Sequence, residues 1–287
     1  MALKDLLVYL DESAGAPLRL RLAVDLARRH GCRLTALFLR EWTPEQLARR
    51  QTAELGGRSP QELQRLDRGV EASIDITGDH LRRELERLSD EYGVAVEWRS
   101  VDGEPIQVLP QYARYADLSI LDVNTPAGST AAGYRFSEEM LFIAGRPVLF
   151  VPTQGEFQTL GRHVAIAWNS SRPAARAVHD ALPLIEQADE VVVLAINPED
   201  FIARHGAPPL PQLIEHLRRH GAEARPLEVT GIRSDRIADE LQSRARALGA
   251  DLLVAGAYGH SRLHEILMGG VTRDLLGRMT LPIMMSY

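Results

Sequence analysis

The residues best suited to chemistry lie near the end of the chain, in a glycine-rich segment at 256–272, GAYGHSRLHEILMGGVT. Two and then nine residues separate the first three of its four glycines: Gly256, Gly259, Gly269 and Gly270. Glycine lets backbone N–H groups approach an anion closely, and the N-terminus of a helix adds unpaired N–H groups and partial positive charge. The spacing therefore predicts a phosphate cradle that leads into a helix from Gly270 to about Arg278.

Side chains between the glycines are further candidate ligands. Ser261 and Thr272 offer hydroxyl donors, Arg262 offers a charged donor, and His260 either contacts phosphate or faces solvent. Val271 stands at the start of the helix and is included in the predicted site. The segment has no GK[ST] sequence, so it is not a Walker loop. A competing interpretation stays open, in which the glycines only permit tight turns and close contact between helix and sheet.

The elements that must position this segment occur twice along the chain. Each half has the same order of apolar strands, with amphipathic helices between them. The matching strands are 6–13 and 164–171, 33–39 and 190–196, 94–101 and 224–230, 116–121 and 250–255, and 145–151 and 280–285. Continuous apolar strands that alternate with helices predict a parallel sheet buried on both faces. The fold class is therefore α/β, with five strands in each half.

The predicted domain boundary is a short polar stretch at 152–161, which gives a first half at 1–152 and a second half at 161–287. We expect the two halves to pair edge strand to edge strand, because this covers an otherwise exposed edge. The first half also carries a polar insert at about 41–69, whose sequence indicates either helix or a mobile segment.

Composition narrows the class of protein. The formal net charge is -6, with 45% hydrophobic and 25% charged residues, which is typical of a globular protein and favours neither nucleic acid nor an anionic membrane as partner. The apolar stretches are too short to span a bilayer, and the charged N-terminus argues against a signal peptide, so we expect a cytoplasmic protein. The single cysteine, Cys32, is expected to be buried. Two histidine pairs have the i, i+4 spacing of metal ligands but no evident third ligand, so no metal is expected.

The whole pattern resembles the universal stress protein family. The resemblance rests on the Gly-x2-Gly-x9-Gly segment after the fourth strand, the Asp/Asn-x-Ser after the first, and the terminal Leu-Pro-Ile strand. It implies two tandem flavodoxin-like domains of the adenine-nucleotide α-hydrolase type. It also implies ATP as the ligand, with or without Mg²⁺, in one branch of the family, whereas another branch binds no nucleotide. In this chain it would place Gly256, Gly259, Gly269 and Thr272 on the phosphates, and Asn169 and Ser171 near the adenosine.

Three departures from the family pattern shape the expected site. Gly270 replaces the serine or threonine that usually follows the third glycine, and Asn169 replaces the aspartate of nucleotide binders. In the first half, Asp122 and Thr125 stand where Gly256 and Gly259 stand in the second, and Tyr134 and Arg135 stand at the positions of Gly269 and Gly270. Because Asp122 would repel phosphate, we expect one working site per chain, in the second half.

Three functional classes remain from the sequence. The first is a nucleotide-binding stress sensor or regulator, at most a slow ATPase, acting either as a single chain or as a homodimer. The second is a protein interaction module with a vestigial cradle or one for another anion. The third, an enzyme of the wider α-hydrolase group, would need an SGGxDS-type loop after the first strand, and neither half has one.

Overall fold

The structure, a computed structural model of the 287-residue chain, describes residues 2–40, 60–123, 130–199, 210–258 and 270–287. The strands are β1 (Asp5–Leu10), β2 (Arg33–Arg40), β3 (Val96–Asp102), β4 (Leu118–Asp122), β5 (Val148–Val151), β6 (His163–Ala167), β7 (Glu190–Ile196), β8 (Ala224–Val229), β9 (Leu252–Gly256) and β10 (Ile283–Ser286). The helices are α1 (Ala16–His30), α2 (Pro60–Tyr92), α3 (Pro105–Ala113), α4 (Thr130–Ile143), α5 (Arg172–Ile185), α6 (Leu210–Arg219), α7 (Ile237–Ala247) and α8 (Gly270–Gly277). A short 3₁₀ turn, Ser234–Arg236, precedes α7.

All ten strands form one sheet in the order β3-β2-β1-β4-β5-β10-β9-β6-β7-β8. Within each half the neighbouring strands are parallel, which confirms the predicted fold class. The halves meet through their last strands, because β10 pairs antiparallel with β5. The expected edge-to-edge pairing of the halves is thus present. The antiparallel junction also turns the carboxyl ends of the two sets of strands in opposite directions.

The apolar strands bury both faces of this sheet. One cluster of buried side chains lies on the face covered by α1, α2, α5 and α6, and the other lies on the face covered by α3, α4, α7 and α8. Each cluster contains residues of both halves, such as Leu149 with Met284 on one face and Phe150 with Ile283 on the other. The seam between the halves is therefore continuous hydrophobic core, which makes separation of the halves costly.

The internal repeat is also visible in which residues of equivalent helices are buried. Shifted by 158 positions, the buried residues of α1 at 16, 19, 20, 23, 24, 26 and 27 coincide with buried residues of α5. This register equates Arg19 with Ala177, the pair on which the contrast between the two halves depends.

Helix α1 shows why the chain turns where it does. A proline stands in its first turn, Arg28, Arg29 and His30 occupy its last turn, and Gly31 follows with φ of 58°. The N–H of Gly31 donates to the carbonyls of Ala27 and Arg28, a common way to end a helix. Cys32 comes next and is buried as expected, and its burial raises the pKa of the thiol to about 11.

The insert of the first half is described only in part. Residues 60–69 belong to the start of α2, so the helical expectation holds for them, while 41–59 lie outside the described residues. None of the helices in the described ranges combines the length and the apolar character needed to cross a membrane.

Candidate functional site

The site predicted for the second half lies where β6 and β9 end and α5 begins. Asn169 follows β6 and is exposed, and its Oδ1 accepts the N–H of Ser171 at 3.2 Å. Ser171 is the N-cap of α5, and its Oγ accepts the N–H of Ala174 at 3.2 Å. Ser170, between them, has a positive φ of 57°. Asn169 and Ser171 thus turn the chain sharply from strand into helix, as Asx turns and serine caps do.

Gly256, the last residue of β9, lies directly under this turn. A Cβ at Gly256 would overlap the peptide that joins Pro173 to Ala174 and would lie 2.7 Å from the Cα of Ala174. Only glycine leaves room for the first turn of α5 at this strand end. The close helix–sheet contact that the sequence left open as an explanation of the glycines is therefore present at Gly256.

The end of the glycine segment behaves differently. Gly270 opens α8 and is exposed, and no described atom lies within 4 Å of the position that its Cβ would take. Val271 packs against the core, and Thr272 is buried. The packing of the described residues therefore gives no reason for a glycine at 270, and none of their atoms fills the space beside this glycine.

A hydrogen bond joins the two ends of the segment. The N–H of Tyr258 donates to Oγ1 of Thr272 at 3.2 Å, and Tyr258 has a positive φ of 55°. Strained conformations of this kind in non-glycine residues occur often at binding sites. The remaining predicted ligands, Gly259, His260, Ser261, Arg262 and Gly269, lie outside the described residues.

The first half supports the start of the segment from across the seam. Phe142 of α4 stacks on Tyr258 with 4.7 Å between ring centroids, and Tyr287 meets Phe142 edge-on at 4.6 Å. A second contact joins the same helix of the first half to α8, because Nε of Arg273 donates to Glu138 of α4 at 3.1 Å. The candidate site of the second half is therefore built in part on residues of the first.

Sequence reasoning missed Asn197, which lies at the same edge of the sheet. It follows β7 with a positive φ of 49°, and its Oδ1 accepts the N–H of Ile232 at 2.9 Å. Its Nδ2 donates to the carbonyl of Ile232 at 2.6 Å. Asn197 thereby ties the loop after β8 to the end of β7. The available signal was an asparagine directly after a strand, where this residue type tolerates a left-handed backbone.

The equivalent edge of the first half holds a buried ion-pair cluster, which the sequence also did not reveal. Arg19 is 1% exposed, and its Nη1 and Nη2 donate to Asp122 at 2.6 Å and to Asp11 at 2.5 Å. Its Nε donates to the carbonyl of Tyr9 at 3.2 Å, and Ser13 Oγ donates to Asp11 at 2.5 Å. Burial by itself would lower the pKa of Arg19, but the charges of Asp11 and Asp122 outweigh it and raise that pKa.

Neither half shows a metal centre in the described ranges. No group of three or more His, Cys, Asp or Glu side chains there is arranged to hold a metal ion. His216 and His220 do lie together, with ring centroids 4.6 Å apart, as their spacing predicts.

Comparisons with known proteins agree with this architecture. The model of the universal stress protein family matches the chain twice, over residues 2–129 and 161–286. A universal stress protein from Archaeoglobus fulgidus is structurally similar, with a TM-score of 0.68 at 15% sequence identity over 98% of this chain and 95% of that one. A putative universal stress protein from Pseudomonas aeruginosa UCBPP-PA14 has a TM-score of 0.61 at 16% identity over 99% and 93% of the two chains.

At these identities the similar structures show the fold alone. Comparison with curated protein sequences gave no match. The two family matches cover most of the chain, one in each half of the ten-stranded sheet. The chain therefore belongs to the universal stress protein family and carries two copies of its domain in tandem.

Proposed function

We propose that the second half binds ATP or a closely related adenine nucleotide, with or without Mg²⁺, and that the chain acts as a nucleotide-dependent sensor or regulator of the stress response. The observation that carries the proposal is the contrast between the halves. Where the first half has Arg19 on α1 and Asp122 at the end of β4, the second half has Ala177 on α5 and Gly256 at the end of β9, so neither of these two positions carries a carboxylate that would repel phosphate.

The described residues fit an adenine nucleotide in the following way. Backbone N–H groups of the first turn of α8 have no partner within the helix and would bind phosphate oxygens, with Gly270 leaving the approach open. Thr272 Oγ1 accepts the N–H of Tyr258, and its hydroxyl proton would be donated to a phosphate oxygen. Asn169 would contact the adenosine from the end of β6. We assign phosphate contacts to Gly259, Ser261, Arg262 and Gly269 from the family pattern, with His260 as a neighbour.

A second candidate function is a protein interaction module with a vestigial cradle. Gly256 favours it, because the contact with α5 accounts for this glycine without a ligand. The two functions differ in one measurement. Calorimetric titration of the full chain with ATP and Mg²⁺ should give micromolar affinity, about -8 kcal/mol, and one site. Absence of both heat and thermal shift at millimolar ATP would favour the interaction module.

Gly270 gives a sharper prediction. Gly270→Ser restores the hydroxyl that the family usually has here, at a position where no described atom would touch the added Cβ and φ is not positive. A hydrogen bond from a hydroxyl to a charged acceptor contributes about 1.5 kcal/mol, so ATP should bind roughly tenfold more tightly. The measurement is the same titration.

Gly270→Ala is the matched control, because it adds the Cβ without the hydroxyl. We expect its affinity to stay near that of the unaltered chain, and both variants to keep the same stability. Equal affinity of the serine and alanine variants would argue that phosphate does not approach this end of α8.

A further inference from the structure

The residues around Arg19 surround its guanidinium group as the residues of a binding site surround a ligand, which an incidental ion pair would not require. All three guanidinium nitrogens are engaged, on Tyr9, Asp11 and Asp122. Room for the group is left by Gly15, where a Cβ would lie 3.1 Å from Nη1 of Arg19 and 3.3 Å from Oδ2 of Asp122. The guanidinium thus fits a pocket of matching shape and charge, formed by the strand ends and the start of α1.

The two halves differ at both members of the more deeply buried ion pair, Arg19 with Asp122. In the repeat, Arg19 corresponds to Ala177 and Asp122 to Gly256, so the guanidinium and its carboxylate are present together or absent together. In each half a glycine allows the helix to pack closely against the strand end, but the glycine lies on a different element in the two halves. In the first half the glycine is on the helix side, at Gly15, and the side chain is on the strand. In the second half the glycine is on the strand, at Gly256.

The charges decide which class of ligand such a site can hold. Asp11 and Asp122 place two negative charges at one edge of the sheet, and Arg19 neutralises one of them. Removing the cation from a buried pair leaves an uncompensated charge, which is strongly destabilising. The pocket therefore accepts a cation with several N–H donors in a plane, and it disfavours phosphate.

We propose that the strand-end site of the first half is a guanidinium site and that Arg19 fills it as a built-in ligand, in the place where a dissociable ligand would otherwise bind. The inference goes beyond the proposed nucleotide function, since it holds whether or not the second half binds ATP.

The test uses the full chain with Arg19→Ala, which empties the pocket. Loss of one partner of a buried pair should lower Tm by about 10 °C. Methylguanidinium at about 20 mM, far below denaturing concentrations, should restore roughly half of the loss, because a ligand of the folded state stabilises it by mass action. Sodium chloride at equal ionic strength should not. Arg28→Ala, which removes a surface pair with Asp25 on the same helix, is the control and should respond to neither salt.

Arg19→Ala/Asp122→Gly copies the second half at these two positions and should lose the response to methylguanidinium, since Asp122, the more deeply buried of the two carboxylates, is gone. If Arg19→Ala does not fold in plain buffer, the proposal requires that it refold with methylguanidinium present, and failure there overturns it. Equal effects of methylguanidinium and sodium would also overturn it. So would a second equivalent of ATP bound by Arg19→Ala, because the pocket would then be a nucleotide site that Arg19 blocks. Failure of the second half to bind ATP, in contrast, would leave the result on Arg19 standing.

Discussion

Gly256→Val is expected to lower the free energy of unfolding by about 3 kcal/mol or more, because its side chain has no space. The added Cβ would overlap the Pro173–Ala174 peptide, and backbone atoms cannot rotate away as a flexible side chain would. The helix would have to lift from β9, which would open the contact between α5 and the core. The measurement is urea unfolding at equilibrium, compared with the unaltered chain.

Two further variants make the Gly256 result specific. Gly270→Ala adds a Cβ that no described atom would touch, and its unfolding free energy should stay within about 0.5 kcal/mol of the original. Ala174→Gly added to Gly256→Val should not rescue stability, because the colliding atoms of residue 174 are N and Cα. If Gly256→Val kept full stability but lost ATP affinity, the phosphate role of this glycine would be the correct one and the packing role would be wrong.

The fold could be predicted from the sequence because the same order of strands and helices occurs in both halves, so each half supports the assignment of the other. Two sets of apolar strands in the same order require the same topology, and an uncovered fifth strand in each half needs a partner. β5 and β10 meet in this way. The length of α2 was harder to predict, because its early turns fall in a polar stretch that contains Gly69 and Gly78, which lower helix propensity.

The site was less predictable, for a physical reason at each position. In the sequence, Arg19 resembles the other arginines of an amphipathic helix, and its partner Asp122 is 103 residues away. Nothing local shows that both are buried. Gly256 had two interpretations that spacing alone could not separate, since glycine serves anions and close packing equally well. The approach of α5 supplies the packing role, and nucleotide binding stays a prediction.

Asp251→Ala is expected to cost about 2 kcal/mol of unfolding free energy, because this carboxylate accepts hydrogen bonds from the first residue of β6 and from the chain just before it. Its Oδ1 accepts the N–H groups of Arg162 and His163 at 3.0 and 3.1 Å, and its Oδ2 accepts the hydroxyl of Thr159 at 2.6 Å. It thereby fixes β6 beside β9, the two strands that present Asn169 and Gly256.

The repeat provides the control for Asp251. Asp117 is its counterpart, and among the described residues it accepts two donors, the N–H groups of Lys4 and Asp5, at 2.7 and 3.1 Å. Asp117→Ala should therefore cost less, about 1 kcal/mol, and should leave ATP affinity unchanged. Asp251→Ala should weaken ATP binding as well, because a shift of β6 against β9 displaces Asn169 from the cradle. Urea unfolding and ATP titration of both variants test this. Equal stability losses would mean that the hydroxyl of Thr159 adds nothing, and unchanged affinity in Asp251→Ala would mean that the alignment of β6 with β9 does not position the site.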